Sequence, residues 1–185
     1  MSQSHRLPTG GRIARDQEIR FTFNGQGLTG YRGDTLASAL LANGVHFVAR
    51  SFKYHRPRGI MAAGVEEPNA LVQLESGARA VPNARATEVE LYEGLSARSI
   101  NANPSLARDR MAVAGRFSRF IAAGFYYKTF MWPRGWWPRY EKRLRAAAGL
   151  GEAPTVPDAD VYDKRHVHCD VLVVGAGPAG LAAAT

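Results

Sequence analysis

The chain has 185 residues, 45% of them hydrophobic, with 24 Lys and Arg against 16 Asp and Glu and a formal net charge of +8. That apolar share excludes disorder throughout, no apolar run approaches the ~18 residues of a membrane span, and the polar start MSQSHRLPTGGRIARDQ is not a secretory signal, so a cytoplasmic location away from membranes is expected. The single cysteine, Cys169, leads us to expect neither a disulfide framework nor a four-cysteine metal or iron–sulfur site, and the positive charge calls for acidic partners, whether nucleic acid, anionic lipid or an acidic subunit.

Residues 1–17, polar and glycine-containing, read as a flexible N-terminal arm, mobile or loosely docked. Ile19, Phe21 and Phe23 then alternate with Arg20, Thr22 and Asn24, the pattern of a half-buried strand. Asn24-Gly25 is a hairpin signal, and a second strand follows from Leu28 to Tyr31. Asp34 is placed to cap a helix whose Leu36, Ala39 and Leu40 share one face and which Asn43-Gly44 ends. Hairpin followed by helix is how a β-grasp domain begins. Pro57, Gly59 and Gly64 break regular structure, so residues 49–68 are expected to be a long loop carrying Arg50, Lys53, His55, Arg56 and Arg58. Strands are predicted at Ala70–Leu74 and, from the alternation of Val89 and Leu91 with Glu88 and Glu90, at Thr87–Tyr92. These elements make an α+β domain over residues 18–100.

Residues 101–165 read as a helical aromatic and basic connection. Met111, Ala114, Phe117, Phe120, Ile121 and Phe125 recur at helical spacing up to Pro133, and RYEKRLRAAAGL forms a second helix closed by glycines. The aromatics interleaved with arginines suit a subunit or domain interface better than a nucleic-acid or membrane surface, because they keep the spacing of a packed face. The cations of the loop SFKYHRPRG could hold a phosphate, a carboxylate or a polyglutamylated folate, or could be solvated or pair with acidic residues of another domain. His55 reads as a hydrogen-bonding loop residue, since no Asp or Glu can be placed beside it from sequence.

Residues 166–185 read as the start of a Rossmann-type α/β domain. Val171–Val174 is a β-branched apolar run suited to a buried parallel strand, with Cys169 as a packing residue before it. Gly175, Gly177 and Gly180 follow at G-x-G-x-x-G spacing and lead into the helix-favouring Leu181–Ala184. In that setting Gly175, Gly177 and Gly180 suit a turn that takes a dinucleotide pyrophosphate on the helix N-terminus, the other readings being a turn that only packs or one that binds a different phosphate ligand. The second half of such a unit needs ~30 residues, so the chain is expected to be an N-terminal piece of a longer protein.

The stretches SFKYHRPRGIMAAGVEEPNALVQL, GFYYKTFMWP and CDVLVVGAGPAGLAAAT, in this order, resemble the N-terminal region of the alpha subunits of heterotetrameric sarcosine oxidases. The resemblance implies a ferredoxin-like β-grasp domain followed by the truncated Rossmann-type domain. Because positions 45–64 contain no cysteine, it implies that the [2Fe–2S] cluster of such domains is absent. It implies NAD, with FAD as the alternative, at a pyrophosphate turn made by Gly175, Ala176, Gly177, Pro178, Ala179 and Gly180, and FMN and FAD in the complete complex. The activity implied is oxidative demethylation of sarcosine to glycine, O2 being reduced to H2O2 and the one-carbon unit passing to tetrahydrofolate. Beta, gamma and delta subunits would be the partners, and the fragment alone would be inactive. Two other readings stand beside it: a subunit of an FAD-dependent amino-acid or opine dehydrogenase, and a basic module for nucleic acid or membrane.

Overall fold

The computed structural model of the chain describes residues 3–120, 130, 132–149, 151, 153–158 and 160–185. Its centre is a mixed five-stranded sheet in the order β2 (Gln26–Arg32), β1 (Ala14–Phe23), β7 (Ser96–Ser99), β5 (Leu71–Leu74), β6 (Val81–Arg85). Strands β1 (Ala14–Phe23) and β2 (Gln26–Arg32) are the expected hairpin, with Phe21 opposite Leu28 and Phe23 opposite Gln26. Asn24 and Gly25 turn it with φ of 51° and 79°, the doubly left-handed geometry whose twist matches that of the paired strands. The register shifts between Ala14 and Glu18, so the N-terminal end of β1 bulges away from its partner.

Helix α1 (Leu36–Ala42) packs its Leu36, Ala37, Ala39 and Leu40 face on the sheet, against Phe21, Phe23, Leu28, Val72, Leu74 and Ala97. A Cβ at position 30 would lie 2.4 Å from Leu91 Cδ2 and 3.1 Å from the Ala39 Cβ, so Gly30 is what lets helix and covering segment come down on β2. The cap is Thr35 rather than Asp34: Thr35 Oγ1 accepts from the Ser38 backbone N–H and the Ser38 hydroxyl accepts from the Thr35 N–H. Asp34 is displaced from capping because its carboxylate is already engaged. It accepts from both terminal nitrogens of Arg6, at 3.0 and 2.6 Å, from the Tyr31 N–H and from the Ser38 hydroxyl.

That pairing docks the described part of the N-terminal arm, from residue 3 onward. Arg6 lies over the Tyr31 ring, Gln3 donates to the Thr29 carbonyl, and β1 already begins at Ala14. The physical reason is the burial of Asp34, whose side chain is 1% exposed and requires a cation beside it.

The rest of the sheet departs from the expected strands. Strand β5 (Leu71–Leu74) is where the sequence puts it, but its partners are β6 (Val81–Arg85) and β7 (Ser96–Ser99), neither of which alternates in hydrophobicity. Strand β7 pairs parallel with β1 through Thr22 and Phe23 and antiparallel with β5. Thr87–Tyr92 does not form a strand of this sheet. It crosses the start of α1, where the Leu36 N–H donates to the Val89 carbonyl and the Leu91 N–H to that of Asp34, and its alternation serves to bury Leu91 beneath the helix.

Beyond the sheet, residues 110–120 form a 3₁₀ segment, kinked at Phe117, where an amphipathic helix was expected. The predicted continuation through Ile121 and Phe125 lies outside the described residues, as do Tyr126 and Tyr127. Helix α2 (Trp137–Ala148) matches the second helical stretch. Among the described residues, no helix is long and apolar enough to cross a membrane.

Replacing Asp34 by Asn is expected to lower stability by about 2–3 kcal/mol, because charge-assisted bonds to Arg6 are lost at a buried position. Urea denaturation would show a lower midpoint, and limited trypsin digestion would show faster cleavage after Arg6. An unchanged midpoint and cleavage rate would show that the arm is not held through Asp34.

Candidate functional site

The glycine turn adopts the local geometry that its spacing predicts. Gly175 has φ of 118°, which favours glycine. Gly177 is the extended N-cap of helix α3 (Pro178–Ala183), and Pro178 occupies its first turn. A Cβ on residue 180 would sit 2.0 Å from the Gly175 carbonyl oxygen, whereas one on residue 177 would meet nothing within 4 Å. Gly180 is thus required for the turn to close, and Gly177 leaves an open approach to the backbone.

The strand expected in front of the turn is not formed. Val171–Val174 carries no ladder and is exposed, Val174 at 86%. A strand exists only by pairing, and no described segment lies alongside this run to supply the ladder. Cys169, expected to pack, is exposed for the same reason.

The basic loop is more ordered than its sequence suggests. Within residues 49–68, β3 (Ala49–Arg50) and β4 (Pro57–Arg58) pair as a short hairpin, Ala49 opposite Arg58 and Arg50 opposite Pro57. Arg50 is buried and lies over the Phe47 ring, and its guanidinium donates to the carbonyls of His55 and Leu106. His55, at φ 51°, places Nδ1 2.6 Å from Asp109 Oδ2, with Arg50 Nε 3.7 Å from the same oxygen. The other carboxylate oxygen of Asp109 accepts from the N–H groups of Asn103 and Met111. The partner that sequence could not place beside His55 is therefore Asp109, brought in from the segment after β7. Since the pair is buried and the carboxylate is occupied by donors from three segments, it braces the hairpin rather than presenting an acid–base group to a substrate.

A second internal anion closes the following loop. Glu67, 1% exposed, accepts from the backbone N–H groups of Met61 and Ala62 through one carboxylate oxygen and from those of Asn69 and Ala70 through the other, at 2.6–3.1 Å. Burial by itself would raise its pKa, but the four N–H donors outweigh it and hold the carboxyl below its ordinary value of 4.5. Neither Glu67 nor Asp109 was singled out from sequence. Each is an acid within a loop, and only the fold reveals the donors around it.

The aromatic and basic connection does not bury its rings among the described residues. Trp132 is 79% exposed, Trp136 and Trp137 are about half exposed, and Arg139 lies over the Trp136 ring. In the segment before the turn, Arg79 is paired with Asp160 at 2.6 Å, and Tyr162 donates to Asp158.

Because Glu67 is more acidic folded than unfolded, its contribution to stability is full above pH 4.5 and is lost as pH falls through its folded value. Glu67→Gln should cost about 3 kcal/mol at neutral pH, since an amide turns a donor toward backbone donors. The denaturation midpoint of the wild type should then fall more steeply below pH 4.5 than that of the variant. Parallel pH profiles would place the acid-sensitive group elsewhere.

Comparison with known proteins follows the same division. Residues 16–102 match a family model described as a 2Fe-2S iron-sulfur cluster binding domain, which accounts for the mixed sheet and its hairpin. This corrects the cofactor expectation. The family model points to an iron–sulfur cluster, against the expectation of NAD (or FAD) at the turn, FMN and FAD in the complex and no cluster in the chain. The residues present do not fit the group: the one cysteine is Cys169, outside the matched span, and among the described residues no three His, Cys, Asp or Glu gather as ligands. The sarcosine oxidase subunit alpha of Rhizobium meliloti (strain 1021) is 60% identical over 98% of this chain and 18% of its own length. That of Corynebacterium sp. (strain U-96) is 37% identical over 100% of this chain and 15% of its own length. Among solved structures, L-proline dehydrogenase from P. horikoshii is similar with 22% identity, a TM-score of 0.35, and coverage of 46% of this chain and 16% of that one. The chain thus spans less than a fifth of the length of these sarcosine oxidase relatives, and it is similar over nearly its whole length to the N-terminal portion of sarcosine oxidase alpha subunits.

Proposed function

We propose that the chain is the N-terminal portion of an oxidoreductase subunit that acts in the oxidation of sarcosine. The observation that carries this reading is the 60% identity to a sarcosine oxidase alpha subunit across 98% of the chain. In the reaction proposed, sarcosine, O2 and water give glycine, H2O2 and a one-carbon unit at the level of formaldehyde, which passes to tetrahydrofolate. Beta, gamma and delta subunits complete the assembly, in the cytoplasm. The residues described here hold no group placed to oxidise an amine, so their role is to fold, dock and lead into the next domain.

Within this reading, residues 18–100 form the ferredoxin-like domain and 101–165 the connection. Residues 166–185 supply the first strand and turn of a Rossmann-type dinucleotide-binding domain. Gly175, Ala176, Gly177, Pro178, Ala179 and Gly180 form its pyrophosphate turn, with backbone N–H groups at the start of α3 facing the phosphates. The geometry at Gly175, Gly177 and Gly180 supports this assignment. The run Val171–Val174 becomes a strand once a neighbour is beside it.

Two measurements test the proposal. Sarcosine-dependent O2 uptake by the complete protein assembled with its companion subunits should yield stoichiometric H2O2; a correctly assembled complex without uptake would remove the substrate. Gly177→Val in that protein should abolish calorimetric binding of ADP-ribose while leaving the fold intact, since a Cβ there meets nothing within 4 Å. Undiminished binding would make the turn structural only.

A further inference from the structure

A cleft of about 380 Å³ lies between the β3–β4 hairpin, the start of β5, the end of β7 and the last residue of α2, and Arg50, Ser51, Arg58, Asn69, Asn101 and Ala148 are among its lining residues. This volume is within the range of sites for small molecules. Among the described residues no carboxylate lines it, although the chain has 16 Asp and Glu.

The polar groups around the cleft are donors left over after the fold has used its acceptors. The buried Asn101 accepts the Arg50 N–H through Oδ1 at 2.9 Å, which fixes its amide and leaves Nδ2 as a donor with no hydrogen-bond partner among the described residues. Ser51 Oγ accepts from the Arg56 N–H, so its own proton remains to be given. Glu67 takes the Asn69 backbone N–H but not its side-chain amide. Arg58 is exposed and forms no ion pair with a described residue. A surplus of N–H and O–H donors with a guanidinium, the nearby carboxylates of Asp109 and Glu67 being taken up by donors of the fold, recognises oxygen-rich anions.

The wall is also pre-organised. Arg50 is tied to the His55 and Leu106 carbonyls, and His55 to Asp109, so the hairpin holds its shape before anything binds. We propose that this cleft binds the oxyanion group, phosphate or carboxylate, of a small molecule, with Arg58 supplying the charge and Asn69, Asn101 and Ser51 the neutral donors. The site is separate from the glycine turn and does not depend on the reaction proposed above.

Arg56 provides the control, because it lies on the same hairpin, is exposed and does not line the cleft. The full chain would be titrated by calorimetry with inorganic phosphate and, separately, with acetate at fixed ionic strength. One equivalent of one anion should bind. Arg58→Gln should weaken it about tenfold and Asn69→Ala severalfold, with thermal unfolding unchanged in both, while Arg56→Gln leaves the affinity as it was. A preference for phosphate assigns a phosphorylated ligand, and a preference for acetate a carboxylate. The proposal is overturned if neither anion binds, or if Arg56→Gln weakens binding as much as Arg58→Gln, which would mean diffuse attraction to a basic surface.

Discussion

A carboxylate removed from water must be answered by donors, and in this small domain that requirement organises the loops. Moving an ion out of water costs several kcal/mol unless hydrogen bonds and opposite charge replace the solvent. The side chains of Asp34 and Asp109 are 1% and 0% exposed, and Glu67 is equally sealed. Each draws in groups that apolar contacts do not reach. Asp34 fastens the chain's start to the head of α1, Asp109 ties the hairpin to the segment after β7, and Glu67 gathers the backbone on both sides of itself. Arg50 follows the same logic from the cationic side, spending its donors on main-chain carbonyls. The apolar core under α1 fixes the sheet, and the anions fix what surrounds it.

This division explains what could be read in advance. The β1–β2 hairpin and α1 were legible because their signals are local: Phe21 and Phe23 alternate, Asn24-Gly25 accepts the turn, and Leu36 and Leu40 share a face. The cap shifted by one residue because Asp34 answers to Arg6, a partner no helix rule includes. Strands β6 and β7 were illegible because VPNAR and SARS carry no alternation, and only the edges offered by β5 and β1 make them strands. Thr87–Tyr92 misled in the opposite sense, since its period of two is spent under a helix.

The candidate sites divide in the same way. The glycine turn could be read because its conformational demands fall within six residues, and Gly180 meets them through its contact with the Gly175 carbonyl. The preceding Val171–Val174 run could not be confirmed locally, because an apolar segment states a preference for burial without supplying the surface that satisfies it. Arg50 and His55 were noticed as cations, yet their meaning lies in Asp109, which no spacing connects to them. The donors of the cleft were hidden for the same reason, being ordinary asparagines until three segments bring them together.

The parallel pairing of β1 with β7 imposes an order on biosynthesis. β1 and β2 can form their hairpin as soon as they leave the ribosome, but the other edge of β1 has to wait for Ser96 and Ala97. Until then Phe21 and Phe23 have only α1 to cover them, and an open strand edge is offered to any neighbouring nascent chain. A bulged and charged start to β1, with Arg15, Asp16 and Glu18 near the irregular register, is the kind of sequence that discourages such pairing while the domain is incomplete.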